Sequence, residues 1–172
     1  SKRAASALSL RHLPGLDIRY LHLVRDSRGV AYSWTKKRER VDIQDEDAFM
    51  ARRPPWQTAK TWLVRNLAVT TCFPVLMPGR CLRIRYEDFA VQPQAVLQQI
   101  LEFAGVINPE TSFVHNREIT LTRPSHVAFG NPRRFAQGAV TLREDRAWKE
   151  ALPTADRRLG TAITWPLLLH YG

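Results

Sequence analysis

The stretch "LHLVRDSRGVAYSW", residues 21–34, constrains the fold more than any other part of the chain. An apolar run stops at Arg25-Asp26, and a helix-like sequence follows. Ile18, Tyr20, Leu21, Leu23 and Val24 are crowded enough to predict a strand covered on both faces, as in parallel sheets. Asp26 is placed to cap a helix running to about Lys37. A strand that feeds a helix through a polar turn sets that turn at the carboxyl edge of an open α/β sheet, where ligands bind. Gly29 and Ser33 then share one helix face, a turn apart. A phosphate lying along the first turns would be clamped by Arg25 at one end and the Ser33 hydroxyl at the other, with Gly29 leaving room. The bland account is an Arg25 ion pair, a solvent-facing Ser33 and an incidental Gly29. Spacing alone leaves both open.

The rest of the chain carries the same strand–helix alternation. Residues 4–13 read as a short amphipathic helix closed by Pro14-Gly15. "ERVDIQDEDAFMARRPP" reads as a charged surface excursion. A long helix is predicted from Pro55, with Trp56, Ala59, Trp62, Leu63, Leu67 and Thr70 at helical spacing, ended by Pro74 and Pro78-Gly79. "CLRIRYEDF" is a second strand, alternating Leu82, Ile84 and Tyr86. "PQAVLQQILEFAGV" is a helix started by Pro93 and stopped by Gly105. Residues 108–138 read as irregular, and two helices close the chain in "LREDRAWKEAL" and "TADRRLGTAITWPLLLHYG". This is α/β alternation in a single domain over residues 1–172, with fewer strands than a parallel sheet needs.

Charge narrows the partners. Lys and Arg total 26 against 16 Asp and Glu, a net +10, and most of the cations are arginine. Such a field favours anionic partners, and arginine suits bidentate binding of phosphate or sulfate. No apolar run is long enough to span a bilayer. Cys72 and Cys81 form no disulfide or ligand pattern, and no Cys, His and carboxylate set has metal-ligand spacing. Free thiols in a reducing cytoplasm are the expectation. The arginines are scattered rather than striped and no nucleic-acid-binding signature accompanies them, so a basic nucleic-acid-binding protein is the lesser alternative.

The segment from Leu21 to Trp34 resembles the 3′-phosphate-binding segment of the PAPS-dependent sulfotransferases, whose donor is 3′-phosphoadenosine 5′-phosphosulfate. In that family an arginine after an apolar strand and a serine eight residues on hold the donor's 3′-phosphate. The resemblance carries these roles to Arg25 and Ser33. "LRIRYEDFAVQPQAVLQQILEFAGV" is similar to the strand, Tyr-Glu-Asp and helix that come next, which places Tyr86 near the adenine. "HVAFGNPRRFAQGAVTLREDRAW" is similar to the late Gly-Asn-Pro segment of bacterial members. It implies nucleotide contacts from Asn131 and from Arg133 or Arg134, with His126 in the same loop. Trp148 reads as a packing residue and His22 as packed within its strand.

The family's other signature, a Pro-Lys-Ser-Gly-Thr-type phosphosulfate loop between a strand and a helix, has no counterpart in the sequence. The resemblance therefore implies a P-loop NTPase-like three-layer α/β/α fold with a parallel sheet, N-terminally truncated, the missing part supplying the central strand. Lys2, at the end of a Ser-Lys like that of bacterial members, is the one candidate catalytic residue, although a protonated terminal lysine makes a poor base. The implied function is sulfuryl transfer from PAPS to a hydroxyl or amine acceptor, this chain carrying the 3′-phosphate and adenosine half. The alternative is an inactive remnant that only binds the 3′-phosphoadenosine nucleotide. No metal is implied.

Overall fold

A computed structural model describes Ser9 and residues 13–36, 52–121 and 138–172. The predicted helix over residues 4–13 and the charged excursion at residues 39–55 lie largely outside them. The first strand, β1 (Tyr20–Val24), ends where the apolar run ends, and helix α1 (Ser27–Thr35) begins three residues later. Asp26 caps it as predicted, its Oδ1 accepting from the Arg28 N–H at 2.8 Å. Helix α2 (Pro55–Leu76) leads to β2 (Cys81–Arg85), which pairs parallel with β1 from Tyr20↔Cys81 to Val24↔Arg85. Two short helices follow, α3 (Tyr86–Val91) and α4 (Pro93–Ala104). Gly105, at φ 76°, closes α4 in the left-handed conformation that glycine adopts freely.

Among the described residues the parallel sheet has these two strands only. Tyr20, His22 and Val24 point to the layer formed by α2 and the C-terminal helix α6 (Thr154–Tyr171). Tyr20 meets Phe73 edge-on at 5.1 Å, and Val24 joins Trp62, Leu167 and Tyr171 in the core. The N-terminus of α1 is locked to α6 by a 2.7 Å hydrogen bond between the hydroxyls of Ser27 and Thr164, both almost fully buried. On the opposite face α4 packs against β2, where Ile84 is buried. The result is a parallel sheet between helical layers.

Several expectations need correction. The strand covered on both faces is covered on one: Leu21 and Leu23 are 47% and 58% exposed, because none of the described elements packs over that face of β1. The stripe along α2 is only partly buried. Ala59 and Trp62 are inside, but Trp56 and Leu67 are exposed. A helix of this length reaches about 33 Å, while five-residue strands reach about 17 Å, so the sheet cannot cover it all. Pro74 does not end α2, which runs on to Leu76 even though the ring removes the N–H that would bond the Thr70 carbonyl.

The stretch expected to be irregular holds an antiparallel sheet of β3 (Val114–His115), β4 (Glu118–Leu121) and β5 (Gly138–Thr141). The hairpin between its first two strands turns at Asn116, which takes φ 52°. The first of the two closing helices shrinks to the single turn α5 (Trp148–Ala151), and residues 142–146 belong to no helix or strand.

His22 is packed, as expected. Its Nε2 lies 2.8 Å from the Asn66 Oδ1, and burial, with help from the nearby Arg83 charge, pushes its pKa down despite that bond. The unfolded chain then binds the proton more readily than the folded one. Stability should be level above the ordinary histidine pKa of about 6.5 and fall as the pH drops below it, until the folded form also protonates. Urea unfolding between pH 7.5 and 5 should show this slope, bounded at about 1.4 kcal/mol per pH unit for one proton, and His22→Gln should remove it.

Candidate functional site

The ends of β1 and β2 bring Arg25, Asp26, Arg85 and Glu87 together around a cavity of about 60 Å³, closed on its inner side by Val24, Trp62 and Tyr171. It has room for about two water molecules. A nucleotide does not fit inside it, but the Arg25 side chain at its rim keeps 22% of its surface exposed.

Arg25 is held from four sides. Its Nη2 donates to Asp145 Oδ2 at 3.0 Å, and its guanidinium lies 4.7 Å from the centre of the Tyr86 ring. Its backbone carbonyl accepts from the Trp62 indole N–H at 2.9 Å. Its guanidinium also lies against Gly29, where an added Cβ would stand 3.2 Å from both Arg25 Nε and Trp148 Cδ1. The space above Gly29 thus accommodates the arginine side chain and an indole edge rather than standing open for a ligand. Glycine is needed there for close approach.

The turn itself is built twice over. Arg28 grips the Asp26 carboxylate through Nε and Nη2 at 2.9 and 2.6 Å, and the Asp26 N–H donates to Glu87 Oε1 at 2.9 Å. The Arg28 guanidinium in turn lies 4.5 Å from the centre of the Trp148 ring, and Trp148 is buried, as the packing role requires.

Tyr86 is not on the strand, as the alternation suggested, but opens α3 directly after it. Arg85 ends the ladder, and the chain turns into helix with Glu87 and Asp88 in the first turn, where acidic residues favour the helix N-terminus. One face of the Tyr86 ring carries the Arg25 guanidinium, and its hydroxyl donates to the Arg143 carbonyl at 3.2 Å. Ser33 is half-buried in the second turn of α1, on the face that carries Gly29. Arg25, Tyr86 and the α1 face bearing Ser33 therefore converge on one edge of the sheet. Lys2, Asn131, Arg133 and Arg134, with His126, lie outside the described residues.

Asp145 was not foreseen. Burial pushes its carboxyl up, but the Arg25 hydrogen bond and charge, with the Ala147 N–H and Lys36, outweigh that and hold it below the usual carboxylate range. It is charged at neutral pH and neutralises Arg25. The arrangement is an arginine flanked by an aromatic face and a helix N-terminal turn, with one carboxylate in competition for it. That can take an oxyanion such as phosphate. Among the described residues no group of His, Cys, Asp and Glu could hold a metal ion, and no helix is long and apolar enough to cross a membrane.

Residues 8–110, which include Arg25, Ser33 and Tyr86, match the Sulfotransferase family. The chain belongs to that family. Its sheet and helices agree with the P-loop-like α/β fold that sulfotransferases share. Among curated proteins the chain is similar to carbohydrate sulfotransferase 7 of Rattus norvegicus, 30% identical over 179 residues that cover 81% of this chain and 36% of the relative. The Mus musculus protein of the same name is 38% identical over 96 residues, covering 54% and 18%. Carbohydrate sulfotransferase 6 of Homo sapiens is 27% identical over 158 residues, covering 84% and 39%. The chain thus spans well under half the length of the relatives it matches. No solved structure matches it.

Proposed function

We propose that this sulfotransferase-family chain binds the 3′-phosphate and adenosine of PAPS, or of the product adenosine 3′,5′-bisphosphate, at the carboxyl edge of β1. In this reading Arg25 and Ser33 hold the 3′-phosphate, and Tyr86 lines the adenine with the ring face that Arg25 leaves free. Asn131 and Arg133 or Arg134 complete the nucleotide contacts. The reaction served is sulfuryl transfer from PAPS to a hydroxyl or amine acceptor. The names of the relatives favour a carbohydrate. The sequence holds no phosphosulfate loop of the Pro-Lys-Ser-Gly-Thr type, so the reading gives the described residues the 3′-phosphate and adenosine only. The observation that carries the reading is the convergence of Arg25, Tyr86 and the Ser33 face of α1 on one sheet edge.

The test is calorimetric titration with adenosine 3′,5′-bisphosphate beside adenosine 5′-monophosphate. Saturable binding of the first, at least about tenfold tighter than the second, is expected, because only the first offers the 3′-phosphate. Equal affinities would remove the 3′-phosphate from the site.

One observation favours a second reading, a remnant that has lost the nucleotide as well: Asp145 already occupies the Arg25 guanidinium. If Asp145 merely competes, Asp145→Asn should tighten the bisphosphate about threefold to tenfold, since a fixed carboxylate no longer repels the phosphate. If the pair is only structural, the same substitution leaves the chain without measurable nucleotide affinity.

A further inference from the structure

Helix α1 turns three residues toward the donor edge: Gly29, Ser33 and Lys36. Their spacing of four and then three places them within about 60° of one another around the helix. Gly29 fixes the direction of that face, since an added Cβ there would stand 3.2 Å from Arg25 Nε. Lys36 is the C-cap, about 10 Å along the axis from Gly29 and one turn beyond Ser33. Its four-carbon stem is long enough to bring the ammonium back over that turn.

Two observations locate the lysine head. Its Nζ lies 4.2 Å from the centre of the Tyr32 ring, one turn back on α1, and the residue is half-buried. A cation on an aromatic face is steadied without being neutralised, so it can still take an anion. Its charge also reaches Asp145. Burial raises that carboxyl, and Lys36, behind Arg25 and the Ala147 N–H, is among the groups that bring it down. Asp145 thus lies in the field of a cation before α1, Arg25 at 3.0 Å, and of another at the helix end. The Ala147 N–H adds a donor at 3.3 Å to its second oxygen. An acceptor-only group among two cations and a backbone donor marks a position built to balance an oxyanion.

We infer that Lys36 is a further donor-binding residue: as the 3′-phosphate takes the Arg25 guanidinium from Asp145, the Lys36 ammonium closes on it from beyond Ser33. The inference rests on the donor reading proposed above. A phosphate monoester carries about 1.5–2 negative charges against one for the carboxylate it displaces, and the second cation supplies the difference. The two cations divide the work by their chemistry. Arginine presents a fixed fork, and lysine a point charge on a flexible stem that follows the anion as Asp145 leaves.

The test compares Lys36→Met, which keeps an apolar stem over Tyr32 and loses the charge, with Lys36→Arg, which keeps the charge. Adenosine 3′,5′-bisphosphate and adenosine 5′-monophosphate are titrated calorimetrically into the 172-residue chain and each variant. Lys36→Met should weaken the bisphosphate by about fivefold or more and leave the monophosphate within about twofold, so that the preference between them shrinks. Lys36→Arg should stay within about threefold of the parent on both. Lys60→Met is the control. Lys60 is exposed on α2 and lies 5.0 Å from the centre of the Trp56 ring, so the same charge is removed from a like setting elsewhere. It should change neither affinity by more than about twofold. The free chain gives a second readout: the Asp145 carboxyl, followed by carbon NMR, should titrate at higher pH in Lys36→Met, because one of its cations is gone.

Parent-like bisphosphate affinity in Lys36→Met would overturn the inference and leave the donor reading intact. So would equal losses in Lys36→Met and Lys60→Met, which would trace the effect to net charge. Equal weakening of both nucleotides would take Lys36 off the 3′-phosphate, and an unchanged Asp145 titration would take it off the Arg25 edge. A parent chain that does not prefer the bisphosphate would sink the donor reading and the inference together, and the parent titrations alone decide that.

Discussion

Arg25→Ala should abolish binding of adenosine 3′,5′-bisphosphate, weakening it by about a hundredfold or more. Hydrogen bonds between charged groups contribute about 1.5–3 kcal/mol each, and a guanidinium can offer a phosphate two of them. The cost to folding should be far smaller. Arg25 gives up a partly exposed ion pair with Asp145 and its contact with the Tyr86 ring, together about 1–2 kcal/mol. The Trp62 indole bonds the backbone carbonyl, which the substitution leaves in place. Calorimetry and thermal melting on the same sample therefore separate the effects. Lost binding with a melting point within a few degrees of the parent assigns the 3′-phosphate to Arg25. Retained binding would mean that the anion is held elsewhere on this basic surface. Arg25→Lys should recover part of the affinity, since a lysine keeps the charge without the two-pronged geometry.

The residues that were legible in the sequence are those whose signals are local. The strand-to-helix switch at Arg25-Asp26, the Asp26 cap and the Pro93-to-Gly105 helix depend on neighbours a few positions apart, and all stand where expected. Gly29 and Ser33 share a face because helix geometry requires it. The partner of Arg25 had no such signal. Asp145 lies 120 residues away in a run of alternating charges that reads as helix, but in the fold it precedes the helical turn and meets Arg25 instead. Trp148 was legible as a packing residue but not as the group that closes over Gly29. The hairpin at residues 114–121 was missed because its turn uses Asn116-Arg117 without the glycine that usually marks such turns. The exposed Leu21 and Leu23 show the limit of periodicity: an apolar run reports what a strand can bury, not what its own chain lays over it.

Trp62→Ala should be the most damaging single substitution for folding, at about 3–5 kcal/mol, read as a shift in the urea midpoint. The indole is 7% exposed, packs edge-on to Tyr171 at 5.8 Å, and shares the core with Val24 and Leu167. Alanine leaves a cavity where β1, α2 and α6 meet, and it also orphans the Arg25 carbonyl. Trp62→Phe separates the two roles. It keeps most of the apolar surface and loses the hydrogen bond, so its folding cost should be about 1–2 kcal/mol. Its effect on the bisphosphate should be disproportionate, a loss of about threefold to tenfold, because the Arg25 backbone is no longer pinned at the sheet edge. Should Trp62→Phe bind the nucleotide like the parent, the indole bond is a core device only. Weakened binding in a well-folded Trp62→Phe would show that the clamp owes its position to the core behind it.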